Sequence, residues 1–309
     1  MQAWALIVDG FRESRDRKIF WVMLAISLLV TAALACIGFS SGQIDILFGL
    51  WTIDAEVFFI AGQLSSGRIA RMLVDGVLDL VVGFFGVMLA IIATAGSIPT
   101  FLQSGTIDVT LAKPIARWRL FLGRYLASLI FILVHATIFI VLTFLVAGLR
   151  WGVWLPGYLA AIPLMVILFS YLYCISALVG VYYRSAAAAV LLTIGAWVMF
   201  FGAQTLDDAF RLYPRLQEYP RFRQMATVGR WIVPKTQDIT YLAQRWVGAS
   251  GIDEIVSAEQ AHDPELIERG AEVEARRMQM PAYQTIGSSL LFEAVILVLA
   301  IRKFSRSDF

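Results

Sequence analysis

Long uncharged apolar stretches alternate along the chain with shorter segments that hold almost all of its charge. Windows free of Lys, Arg, Asp and Glu run over 19–42, 80–107, 125–149, 151–183 and 185–206. A sixth apolar stretch, 282–301, carries a single acid, Glu293. Each reaches the roughly 20 residues that an apolar α-helix needs to cross a bilayer. Pro99 ends the second helix, and Pro156 and Pro163 stand near the start of the fourth. The pattern predicts an all-α integral membrane protein, one transmembrane domain over 1–309. Its six spans are expected at about 19–40, 78–98, 122–148, 156–182, 185–205 and 283–301. A further apolar stretch, 46–67, holds Asp54 and Glu56 near its middle. Each acid costs about 2.5 to 3.5 kcal/mol at a helix centre, so this stretch reads as interfacial or partly re-entrant and not as a span.

Composition supports the membrane reading. Of 309 residues, 59% are hydrophobic and 16% charged, against about 25% charged in soluble domains, and the mean hydropathy is +0.75. A soluble globule cannot bury that much apolar surface. The net charge of +2 gives no reason to expect nucleic acid. Cys36 and Cys174 both lie in apolar runs and form neither a disulfide framework nor a metal-ligand spacing.

Charge then sets orientation. Segments 1–18, 100–124, 184 and 302–309 hold 12 of the 25 Lys and Arg residues. The short segments on the opposite side hold three, Arg68, Arg71 and Arg150. The other ten lie in the loop 207–281, and loops of that length translocate largely regardless of charge. Both termini are therefore expected in the cytoplasm, with the chain a multi-pass protein of the cell (inner) membrane. A spanning 46–67 would put Lys113, Arg117, Arg119 and Arg124 outside, a second reason to reject it.

Between the spans, residues 1–18 carry Trp4, Ile7, Val8 and Phe11 at helical spacing and read as an interfacial helix. The extracytoplasmic loop 207–281 is expected to form a small, water-facing helical cap. One helix is expected around Asp238 to Trp246, closed by Gly248, and another from the Asp263–Pro264 start. Met278 and Met280 lack a neighbouring His or Cys, so no metal site is expected there. The segment 100–124 has two readings on its residues alone: a plain basic loop, or a short helix broken at Lys113 by Pro114 and followed by the third span.

The run GTIDVTLAKPIARWRLFLGRYLAS closely resembles the signature of type-2 ABC transporter permeases. Gly105, Thr106, Ile107, Leu111, Lys113, Pro114, Ile115, Arg117, Gly123, Tyr125 and Leu126 match it, and Arg124 keeps the charge of the usual Lys. The stretch Phe11 to Arg17 is similar to the family's segment before the first span, and Phe304 to Phe309 to its C-terminal tail. The resemblance implies that 100–117 is a coupling helix seated in a groove of a separate ABC ATPase subunit. Gly105, Thr106, Ile107, Leu111, Lys113, Pro114 and Arg117 would form the docking and coupling surface. It further implies the membrane half of an ATP-driven exporter, paired with a second permease copy or a similar permease. ATP and Mg would sit on the partner ATPase, with no cofactor in this chain.

The chain is not expected to be an enzyme. Gly62 to Arg68 has the glycine spacing of a phosphate loop but lacks its Lys and Ser or Thr, and no catalytic constellation is visible. His135 and Glu293 sit near the middle of the third and the last span, and intramembrane ionisable groups are functional candidates by default. Their similar depth leaves two arrangements open: a contact with each other, or separate hydrogen bonds to neighbouring helices. The alternative function, a secondary transporter or channel, would use these two residues.

Overall fold

The computed structural model describes residues 10, 18–40, 43–54, 76–77, 83–103, 115–213, 220–247 and 281–307. Six helical segments among them are long and apolar enough to cross a membrane. The first is α1, Lys18–Ala35. The second, 83–101, contains α2, Gly86–Thr94, and α3, Ser97–Phe101, with Pro99 inside the short second piece. The third is α4, Arg117–Trp151. The fourth joins a 3-10 turn, Pro156–Ala160, to α5, Ala161–Tyr183. The fifth lies in α6, Ala186–Leu212, and the sixth is α9, Ala282–Arg306.

Local chemistry ends these helices where the chain must reverse. Gly152 takes φ +69° after α4, a left-handed conformation that costs glycine nothing, and the amides of Gly152 and Val153 both reach the Ala147 carbonyl. The α5–α6 reversal takes two residues. Arg184 adopts φ +49° and donates its amide to Gly180, and Ser185 then caps α6 by accepting from the Ala188 amide at 3.4 Å.

The fourth span is the centre of the bundle. It is 72% buried over its apolar window, against 11% for α1, so α5 packs on protein and α1 mostly presents its side chains outward. Close approach to α5 is made possible by Gly180. A Cβ there would lie 3.1 Å from Pro99, so α3 rests almost on the α5 backbone. Phe121 and Tyr125 of α4 and Phe304 of α9 are fully buried against the same core.

Two regions depart from the sequence expectation. The uncharged window that begins in α1 does not stay helical to residue 40. The helix stops at Ala35, and β1, Ile37–Ser40, β2, Gln43–Ile46, and β3, Trp51–Asp54, form an antiparallel meander in the order β1-β2-β3. Ile37 pairs with Ile46 and Gln43 with Asp54. The meander sits at the C-terminal end of α4, where the Trp151 indole donates to the Ile37 carbonyl at 2.8 Å and Arg150 lies over Phe48. The interfacial segment expected over 46–67 is described only as far as residue 54, and the helix expected over 1–18 lies outside the described residues apart from Gly10 and Lys18.

The second departure is the loop after the fifth span. Helix α6 continues to Leu212 and is followed by α7, Pro220–Ile232, and α8, Thr236–Val247. The α8 range contains the helix expected at 238–246. It is not a water-facing cap: Ile239, Leu242 and Ala243 are buried in the main core. Polar groups at its start are buried too, and each finds a partner. The Gln204 amide donates to the Pro234 carbonyl and Thr236 Oγ1, and its oxygen accepts from the Gln237 amide. Ser289 Oγ of α9 accepts from the Lys235 amide. Arg230 of α7 binds Asp207, Asp208 and Asp238 at 3.3, 2.8 and 3.0 Å. Burial pushes the Asp238 carboxyl above its ordinary value, against the opposing pull of Arg230. Burial likewise pushes the Lys235 ammonium down, while Asp238 draws it up. The helix expected from Asp263 lies outside the described residues.

Candidate functional site

Helix α4 is 35 residues long, about 52 Å at 1.5 Å per residue, whereas the hydrocarbon core is about 30 Å thick. It must outrun the bilayer. Its uncharged part begins at Tyr125, and the residues before it carry Arg117, Arg119 and Arg124, so the excess length belongs to the N-terminal end. The exposed Trp118 has the Arg119 guanidinium 5.1 Å from its ring, and Arg124 covers Phe101 at 4.6 Å.

Of the signature residues, Gly105, Thr106, Ile107, Leu111, Lys113 and Pro114 lie outside the described residues. Arg117 is described, and it turns towards its own chain. Its Nη1 donates to the Ser305 carbonyl at 3.1 Å and the Ser307 carbonyl at 2.9 Å. The last carbonyls of a helix have no intrahelical partner and carry the negative end of its dipole. Arg117 therefore caps α9 and ties the start of α4 to the end of the last span. Lys303, stacked 5.1 Å over Tyr182, binds the same end of α9 to α5.

A second link joins the same two helices further into the membrane. Glu293 is 8% exposed. One carboxyl oxygen accepts from the Tyr125 hydroxyl at 2.7 Å, the other from Ser170 Oγ at 2.8 Å. Tyr125 also reaches the Ser170 carbonyl at 3.1 Å, which closes a ring among α4, α5 and α9. Its ring stacks on Tyr173, whose hydroxyl is 2.8 Å from Ser128 Oγ. Ser128 in turn reaches Ser97 of the second span at 3.3 Å. This node buries a carboxyl group with both oxygens satisfied, the condition for tolerating such a group away from water.

His135 is not part of that node. Its Nδ1 is 3.0 Å from the Phe131 carbonyl one turn back, its Nε2 is 3.3 Å from the Phe20 carbonyl of α1, and its ring packs on Phe20 and Phe131. Of the two arrangements left open by the sequence, each residue bonds its own neighbouring helix. Tyr125 was visible in the sequence only as a motif match and Ser170 only as part of the fourth apolar window; their partner, Glu293, lies 168 and 123 positions away.

Six apolar spans, a satisfied intramembrane carboxylate and a basic helix end outrunning the bilayer define a multi-pass helical membrane protein with no group of three or more metal-ligating residues among those described. The chain matches the family described as ABC-2 family transporter protein over residues 4–309, and it belongs to that family. It is a membrane permease subunit of an ABC transporter, a transmembrane subunit that is not itself catalytic. No curated protein matches the chain.

Proposed function

We propose that this subunit forms half of the translocation pathway of an exporter and receives its driving force from a separate ATPase docked on 100–117. A second copy, or a similar permease, completes the pathway. ATP and Mg reside on the partner, and both termini lie in the cytoplasm of a cell whose inner membrane holds the complex. The observation that carries this reading is the projecting start of α4. Its arginines belong to the signature run, and Arg117 links it to the last carbonyls of α9. Displacement of the segment by an ATPase would then be passed to the last span, and through Glu293 to α5, as a rigid-body shift. A secondary transporter working through His135 and Glu293 is not favoured, because each is committed to a different helix partner.

Purification of the tagged full chain from its native membrane tests docking. An ABC ATPase should co-purify, and Lys113→Glu should remove it while leaving the yield and helical circular dichroism of the permease unchanged. Recovery of the ATPase with the Lys113→Glu chain would reject 100–117 as the docking segment.

A further inference from the structure

A cavity of about 270 Å³ lies among α1, α2, α4 and α5. Met23, Val30, Leu89, Ala136 and Met165 are among the side chains that line it. His135 reaches the wall, but its ring nitrogens turn to the Phe131 and Phe20 carbonyls, and almost all of the surface that faces the cavity is apolar. Ser27 is the other polar residue of the lining. An ordered water needs two to four polar partners, and apolar cavities stay dry and take up hydrocarbon instead.

The mouth identifies the hydrocarbon. Two lining residues are exposed, Ile26 at 38% and Phe85 at 51%. Ile26 stands midway along α1, eight residues from Lys18 and nine from Ala35. An opening at the middle of a membrane-crossing helix faces the acyl chains of the bilayer, not the headgroups or water. The volume exceeds the roughly 150 Å³ of an apolar cavity that takes up benzene, enough for part of one chain but not for a whole lipid.

We propose that this cavity binds the acyl chain of a membrane lipid, which enters sideways between α1 and α2 and leaves its headgroup outside. The site lies apart from the Glu293 node and from the start of α4, and the proposal does not depend on the direction of transport or on the ATPase. A bound chain would fill the gap beside the least buried span and hold α1 against the bundle.

The test uses the full chain alone, in phosphatidylcholine vesicles doped with phosphatidylcholine bearing a diazirine at the end of one acyl chain. After irradiation, adducts are mapped by peptide mass spectrometry. Labelling of Met23, Leu89 and Met165 should exceed that of the freely exposed mid-span residues Val198 and Leu291. Ala136→Phe, which fills the cavity from α4, should bring the cavity adducts down to the level of those two and leave Val198 and Leu291 unchanged. Ser27→Phe, from α1, should do the same, and the comparison within the wild-type chain decides the matter if neither variant folds. Cavity labelling no higher than at Val198 and Leu291, or labelling unaffected by either folded variant, would overturn the proposal. So would a disulfide between Ile26→Cys chains that abolishes the cavity adducts, because the occupant would then be a second copy of the chain.

Discussion

Glu293 illustrates what an acid requires inside a span. The tyrosine hydroxyl of α4 and the serine hydroxyl of α5 each satisfy one of its oxygens, so the cost of burial is offset by contacts that only the assembled bundle provides. The sequence marks Glu293, because one acid in an apolar run stands out. It does not mark Tyr125 or Ser170 as its partners, because the rotation of each helix and the order of neighbours are tertiary properties that no local pattern encodes. His135 makes the same point: similar depth to Glu293 does not bring the two together. Two double-mutant cycles separate these cases. Glu293→Gln with Tyr125→Phe should show a coupling of about 0.5 to 3 kcal/mol, as for groups in contact. Glu293→Gln with His135→Ala should be additive within about 0.5 kcal/mol, as for sites without shared partners. Stability is measured by reversible unfolding in mixed micelles, and coupling of the second pair as large as the first would contradict the hydrogen-bond arrangement.

At the level of elements, the apolar windows locate all six spanning helices because a spanning helix needs only length and hydrophobicity to be visible. The same criterion fails at the C-terminal end of the α1 window. Gly38 and the Ser40–Gly42 run carry no charge, so a chain that has left the helix for a strand still reads as apolar. Helix α8 is the opposite case. Its polar composition suggests a water-facing cap, yet Ile239, Leu242 and Ala243 fall at i, i+3 and i+4 and form a buried stripe. Thr236 and Asp238 at its start are buried with it because Gln204 and Arg230 supply partners. Arg230→Ala would leave Asp207, Asp208 and Asp238 without their shared cation and should destabilise the chain by about 3 to 5 kcal/mol at neutral pH. The deficit should shrink in acid. Arg230 pulls the Asp238 carboxyl down against the larger upward push of burial, so what Arg230 contributes is present while the carboxylates are ionised and is lost as pH falls through their folded values. Thermal unfolding of both chains across that range measures the difference, and a deficit that stays constant or grows towards acid would show that these carboxylates do not depend on Arg230.

For the molecule as a whole, the contacts sort the span ends into two groups. Arg117, Tyr182 and the end of α9 meet at one end; the β meander and the last turn of α4 meet at the other. Membership of the ABC-2 transporter family was legible in the signature segment, whose residues are local in sequence. The clasp from Arg117 to Ser305 and Ser307 was not, because it joins positions 188 and 190 residues apart. The functional account requires the first end to face the cytoplasm, where ATP is available. Impermeant thiol labelling of intact spheroplasts tests this directly, in a chain whose Cys36 and Cys174 are replaced and which carries one new cysteine at a time. Gly270→Cys should be labelled from outside, and Ala116→Cys only after the membrane is permeabilised. Labelling of Ala116→Cys in intact spheroplasts, with Gly270→Cys protected, would put the coupling segment on the side without ATP and contradict the account.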